Sequence, residues 1–388
     1  MPLVSWEDFQ RPAATDMNRK VYELVRTRVT DMQNPMPPLS AGTLDAKDIA
    51  LLSAWSERGA PRASASDPIC KDMPDAGSTS APVTGPPPSA NQKDATCYDL
   101  TVHGASVAGD TTPFMIPTGE TYHCFYFAAP WPQPALSVAF RSKLNTAQAL
   151  HHWFLYAMPS ATANGTVETC LPLHVDGPKM IAGWAPGGKD MAMPEGVGAE
   201  LVAPGSTLML EWHYFNNTNA EISDKSSVTI CTVPVGSRPN VAAITWLGTE
   251  NFGLGMPAHA MSSFTGTCQP SRTGLGPSDP IHLLYTIPHM HQFGRHMKVE
   301  IKRAGGNVTV FDQPFSEKNQ AFVATPGDVL AGDTLLTTCS YENTSDSAVG
   351  YGGPFDNAEM CYAFVLGYPA HALDNGTRSL LGASNSCL

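Results

Sequence analysis

The chain has 388 residues, 23 basic and 35 acidic, for a formal charge of −12. That balance excludes the basic footprint of a nucleic-acid binder, and no run approaches the eighteen or so apolar residues of a membrane span. With charged residues at only 15%, 34 prolines and 33 glycines, the composition predicts a mainly β protein of short strands, long enough for two or three domains.

The first 66 residues differ from the rest. Val21, Leu24, Val25 and Val29 repeat at helical spacing, and a second helix is expected from about Asp45 to Arg58. Asp45 is its expected N-terminal cap, and Gly59 with Pro61 its stop. This segment, residues 1–66, resembles half of a bacterial c-type cytochrome domain. The resemblance rests on NPMPP (34–38), with Met36 where that class has its axial methionine, and on AWSERGAP (54–61). No C-x-x-C-H occurs, so no haem is expected in this chain. MPLVSWEDFQ lacks the basic and apolar regions of a signal peptide, so any export signal is expected outside this chain. Residues 67–94, rich in Ser, Ala and Pro, read as a linker.

From residue 95 onward, short β-rich runs alternate with Gly, Pro and Asn turns. YHCFYFAA, SVAFRS, HHWFLYAM, TLMLEWHYFN and SSVTICTV are the expected strands of a first domain, 95–237. PIHLLYTI, HMKVEIKR, NVTVFDQ, TLLTTCSYEN and MCYAFVLGY are those of a second, 238–388. GSRPN at 236–240 marks the pause between them. The expected fold is two tandem antiparallel β-sandwich, jelly-roll-like domains after the small helical segment. Nine cysteines without a C-x-x-C pair favour disulfides over zinc fingers, and so an oxidising, extracytoplasmic compartment.

The histidines carry the chemistry. His289 and His291, in TIPHMHQFGRH, are two apart, and on a strand such residues project from one face. Alone, the pair is as well explained by two solvated imidazoles. His151 and His152 are adjacent in an apolar strand, where neighbours point to opposite faces. Both reach one ion only at a strand end or bulge, or through different ring nitrogens. His213, in LEWHYFN, and Met360, beside Cys361, are each alone more often core residues. Together they give three histidines in the first half, and two histidines with a thioether in the second. A thioether is a soft ligand that favours Cu(I).

These motifs resemble the copper type II, ascorbate-dependent monooxygenases, over roughly residues 95–388. HHWFLYAM is similar to the family's double-histidine strand, MIAGWAPGG with MPEGVG to its "WAPG…LPxGVG" loop, and LMLEWHYFN to the strand of the third histidine. HMH with QFGRH is similar to the H-T-H motif, and GDVL and AEMCYAF to the methionine-ligand region. The resemblance implies two copper ions, one per domain. His151, His152 and His213 would hold the electron-donating metal. His289, His291 and Met360 would hold the one where O2 reacts. Ascorbate or another one-electron reductant would drive hydroxylation of a C–H bond in a small organic substrate. The same template implies disulfides Cys124–Cys170, Cys268–Cys387 and Cys339–Cys361. Cys97–Cys231 is a further expected pair, linking the edges of the first domain and leaving Cys70 in the linker.

The departures are informative. Peptide-amidating members place an arginine two residues before the first His of H-x-H, and an Asn and a Tyr after the methionine. Here those positions hold Ile287, Tyr362 and Phe364. A charged carboxylate anchor is replaced by an alkyl group, so peptide amidation is not expected. Ile287, Tyr362 and Phe364 become candidate contacts to an apolar or aromatic substrate. Glu359 and Asp356 are candidates for an amine. Five N-x-[ST] sequons, at Asn164, Asn216, Asn307, Asn343 and Asn375, read as surface turns. Two other classes stand beside the oxygenase. One is a copper redox relay without oxygenase activity, served by an electron-donor protein. The other is a zinc hydrolase on the three histidines, which lacks H-E-x-x-H and leaves Met360 unused.

Overall fold

In a computed structural model of the chain, the described residues are 9–10, 12–13, 16–29, 46–61, 90–146, 149–170, 178–185, 189–253, 255–317, 320, 322–352, 358–380 and 385–388. They fall in two compact units, Met1–Thr84 and Gly85–Leu388.

The first unit has a small ladder of β1 (Pro12–Ala13) and β2 (Asp16–Lys20), then helices α1 (Val21–Val29) and α2 (Ala46–Glu57). Val21, Leu24, Val25 and Val29 are partly buried, as their spacing requires. Ser56 Oγ donates to Tyr22 O at 2.6 Å, tying α2 to α1. Trp55 meets Phe9 edge-on at 5.0 Å. At the helix end Gly59 takes φ 80°, and Ala60 N bonds Trp55 O at 3.0 Å. Asp45, Met36, Cys70 and Asp356 lie outside the described residues.

The second unit is built of strands. Its first half holds β3 (Thr96–Thr101), β4 (Phe114–Ile116), β5 (Gly119–Ala128), β6 (Ala135–Lys143), β7 (Leu150–Ala157), β8 (Val167–Thr169), β9 (Lys179–Trp184), β10 (Met191–Ala192), β11 (Val197–Glu200), β12 (Thr207–Asn216), β13 (Ile222–Asp224) and β14 (Ser227–Pro234). Its second half holds β15 (Asn240–Thr249), β16 (Ala260–Cys268), β17 (Ile281–His289), β18 (Gly294–Lys302), β19 (Val308–Pro314), β20 (Val323–Val329), β21 (Thr334–Asn343), β22 (Gly350–Tyr351), β23 (Ala358–Glu359), β24 (Cys361–Tyr368) and β25 (Ser386–Cys387). The chain is mainly β, as expected. The sheet β8-β5-β12-β7-β9 packs on β3-β14-β6-β11 in the first half. In the second half the sheet β16-β21-β18-β19 packs on β20-β17-β24-β15.

The expected boundary between residues 237 and 238 falls inside this unit. There β15 pairs in parallel with β11, Val197 opposite Asn240 and Ala199 opposite Ala242. One ten-stranded sheet therefore runs through both halves. Its second-half residues Ile244, Trp246, Ile287, Tyr362, Phe364 and Leu366 belong to the same core as Phe125, Trp153, Leu210 and Trp212. This is why β12 is buried almost throughout instead of alternating. Trp212 and Tyr214 face the first-half core, while Glu211 and His213 face a cavity against the second half.

Residues 90–94, expected as the end of the linker, belong to this fold. Asn91 is buried and donates to Met193 O at 3.2 Å and to Val197 O at 2.9 Å. The polar composition hid a buried, hydrogen-bonded turn. Of the sequons, Asn216 and Asn343 are buried and spend their amides on backbone carbonyls, so they are not surface turns. Asn164 and Asn307 are exposed.

Four disulfides close, the same four pairs as expected: Cys97–Cys231, Cys124–Cys170, Cys268–Cys387 and Cys339–Cys361. Spanning 134, 46, 119 and 22 residues, each removes chain entropy from the unfolded state, worth about 2–4 kcal/mol apiece.

An ion network also joins the halves. Lys179 Nζ on β9 is 2.5 Å from Glu200 Oε2 on β11, and His371 Nε2 from the second half is 3.0 Å from the same oxygen. His371 Nδ1 reaches Asp374 at 3.0 Å. Hydrogen bonds to Asp374 and Glu200 raise the His371 pKa to about 9 from 6.5. The His371 hydrogen bond, then Lys179, hold Glu200 down at about 2. Stability from His371 is thus full below its ordinary pKa and lost as pH rises through about 9. That from Glu200 is full above its ordinary 4.5 and lost as pH falls through about 2. His371→Gln should lower the melting temperature at pH 6 and have less effect near pH ~10, in thermal scans across that range.

Candidate functional site

His151 and His152 converge because β7 carries a bulge. On the central strand β12, His213 sits opposite His152, but Tyr214 sits opposite Leu150. His151 is the extra residue, and the shift turns it toward its neighbour. The potential ligand nitrogens of His151, His152 and His213 all lie within 4.8 Å of one another. His151 Nδ1 and His152 Nδ1 are 3.0 Å apart. His213 Nε2 is 2.8 Å from Glu120 Oε1, and Tyr122 stacks on its ring at 3.9 Å. His213 Nδ1 is buried without a hydrogen-bond partner. Burial, then His213, His151 and His289, push the His152 pKa well below the usual histidine range. It is therefore neutral, the form that ligates metal. A partnerless buried nitrogen beside two facing imidazoles is a donor set that a metal would satisfy.

The second cluster is held differently. His289 is the last residue of β17, and His291 lies beyond it, so strand alternation does not align the pair. Glu359 does that work. Its Oε2 accepts from His291 N at 2.7 Å, and its Oε1 from Phe293 N at 2.6 Å. Fully buried, Glu359 has its pKa pushed up to about 7 by desolvation. His291 Nδ1 donates to Ala358 O at 2.9 Å, and His289 Nδ1 to Gln320 Oε1 at 2.7 Å. Both bonds leave Nε2 free. Burial lowers both pKa values, that of His289 to about 3. Met360 is buried next to Cys361, and its carbonyl accepts from Tyr341 OH at 2.6 Å.

All six residues line one cavity of about 70 Å³. Its walls include Phe154, Tyr156, Met180, Trp246, Tyr362 and Phe364, with the carboxylates Glu211 and Glu317. Trp246 packs on Phe364 at 4.7 Å and on Tyr362 at 5.2 Å. Ile287 is not among the lining residues. It shares the sheet face of its cross-strand partner Phe364 but is fully buried among its neighbours and does not reach the cavity. Its expected substrate contact is therefore not carried forward. Glu359 is likewise occupied with the backbone. Cys124 and Cys170 lie close to Glu211 but are tied in a disulfide, so they offer no thiolate.

Sequence reasoning missed Tyr122, Glu120, Gln320, Trp246 and Met180. Glu120 and Tyr122 alternate on β5, so the pattern could have shown them facing His213. Gln320 sits in no motif.

Comparison with known proteins decides the family. Residues 110–221 match the copper type II ascorbate-dependent monooxygenase N-terminal domain, and residues 240–380 match the C-terminal domain. The chain belongs to this family. It is 27% identical over 202 residues to DBH-like monooxygenase protein 1 of Gallus gallus, covering 49% of this chain and 33% of that protein. It is 30% identical over 204 residues to dopamine beta-hydroxylase of Rattus norvegicus, covering 50% and 33%. Peptidyl-glycine alpha-amidating monooxygenase A of Xenopus laevis is 26% identical over 274 residues, covering 67% and 28%. The matched region thus spans about a third of the length of these curated relatives. No helix among the described residues is long and apolar enough to cross a membrane.

Removing the Glu359 carboxylate strands two buried N–H groups. Glu359→Ala should lower unfolding stability by about 2–6 kcal/mol in urea titrations, at roughly 1–3 kcal/mol per orphaned donor, and Glu359→Gln by less.

Proposed function

We propose that the protein hydroxylates a C–H bond of a small apolar or aromatic substrate, using two mononuclear copper sites. His151, His152 and His213 would hold one ion, and His289, His291 and Met360 the other. The observation that carries this reading is that both donor sets line the same cavity. Bound copper would supply one-electron transfer and reaction with O2, with ascorbate or a similar reductant as electron source.

The chain's own residues have separable tasks. Gln320 and the Ala358 carbonyl hold Nδ1 protons on His289 and His291, presenting each Nε2 to the metal. Glu359 fixes the backbone that carries His291. Tyr122 and Glu120 orient His213. Trp246, Tyr362 and Phe364 form an aromatic wall that would exclude water and pack a substrate's apolar part. No arginine stands two residues before the H-x-H pair, and Ile287 there is buried, which argues against a peptide carboxylate as the anchor. The four disulfides support an extracytoplasmic setting.

The test is copper binding joined to turnover. Purified protein should take two copper equivalents, and His289→Ala or Met360→Ala should each take one. With ascorbate, 18O2 and a panel of aromatic and apolar amines and amides, product should gain one labelled oxygen atom. Saturation at one metal, or a strong preference for zinc, would end the two-copper reading. Oxygen uptake without any labelled product would instead favour a redox relay. Gln320→Ala should weaken copper binding roughly 10–100-fold in competition titrations while leaving the stoichiometry at full loading unchanged.

A further inference from the structure

A second pocket of about 110 Å³ lies at the seam between the halves. Its floor is apolar, made of Ala199, Ala242, Ile244 and Leu366, all buried. Lys179 and Glu200, each about a third exposed, form its rim. Met180 lines this pocket and the histidine cavity alike.

The register shows how the two spaces are related. On β15 and β24, Ile244 is paired with Leu366, and Trp246 with Phe364. The first pair lines the small pocket, and the second lines the histidine cavity. Residues two apart on a strand share a face and are about 7 Å apart. The pocket and the cavity are therefore consecutive stations along one sheet face, divided by a methionine. An unbranched thioether side chain changes rotamer readily, so Met180 is a gate of the right kind between them.

We propose that this pocket is an apolar entry route for dioxygen, from the Lys179–Glu200 rim past Met180 to the His289–His291 side of the cavity. The proposal rests on the oxygenase reading above. Size and lining select the ligand. Beyond the charged rim the wall is apolar, and apolar cavities of this order take up guests such as xenon. A charged or strongly hydrogen-bonding molecule would find no partner on the Ala, Ile and Leu floor.

Xenon tests the pocket without any metal. Crystals of the metal-free protein under xenon pressure should show the atom between Ala242, Ile244 and Leu366, and Ala242→Leu should exclude it. In the copper-loaded enzyme, Ala242→Leu should raise KM for O2 about threefold or more, with kcat at saturating O2 and KM for the organic substrate unchanged. Ala242→Val, a smaller intrusion, should give an intermediate KM for O2 if the larger variant folds poorly. A pocket empty under xenon overturns the inference. So does a change confined to the organic substrate's KM, which would assign the pocket to that substrate's tail. If the wild-type enzyme shows no oxygenase turnover, the functional reading fails separately, and xenon occupancy still decides whether the pocket admits an apolar gas.

Discussion

The parallel pairing of β11 with β15 is the constraint on which the rest depends. Three registered residue pairs join a strand of the first half to one of the second. They bring β24 and β15 onto the exposed side of the β12 sheet. Without that contact, the outward face of β12, with Glu211 and His213, would be solvated. The two donor sets would also face water rather than one shared cavity. The Lys179–Glu200–His371 network reinforces the same seam. Rotating one half away from the other would shear a hydrogen-bonded sheet. Access to the cavity by side-chain rotation leaves that sheet intact.

The two candidate ligand sets are shaped by different physics. In the first, strand register with a one-residue bulge brings three imidazoles together, and Glu120 and Tyr122 hold His213. In the second, the chain has left the sheet, and a buried carboxylate holds the turn by accepting backbone N–H groups. The first arrangement is rigid because it sits at the centre of a five-stranded sheet. The second is tied covalently, since Met360 adjoins the Cys339–Cys361 bridge. Burial keeps His152, His289 and His291 neutral, and neutral imidazoles are free to bind a cation.

Much of this was legible in the sequence. Short β-rich runs between Gly, Pro and Asn turns mark strands such as β7, β12, β21 and β24, and the adjacent histidines require a strand end, a bulge or different ring nitrogens to share an ion, of which the structure has the bulge. The order of the motifs carried the family. What escaped was long-range. β15 reads as a modest run of Asn, Val and Ala, yet it is the strand that fuses the halves, because pairing partners 43 residues away leave no local mark. Ile287 shares the face of the cavity wall, yet its neighbours bury it completely. Gln320 and Trp246 reach the cavity from segments with no periodic signature. Local pattern specifies which face a residue occupies, and only the tertiary pairing specifies what that face meets.

Two of the four disulfides, Cys268–Cys387 and Cys339–Cys361, have both cysteines buried, while Cys97 is exposed and Cys170 half-buried. Cys339 and Cys361 are fully shielded, and so are Cys124, Cys231, Cys268 and Cys387, at 0–1% exposure. Thiol exchange needs a thiolate to reach a sulfur atom along its attack line. A thiol that did so at Cys361 would free the residue beside Met360 and loosen a candidate ligand. A donor that works by outer contact, one electron at a time, never touches sulfur. Burial thus protects the bridge beside Met360 from thiols, whereas the exposed Cys97 leaves the Cys97–Cys231 bridge within their reach.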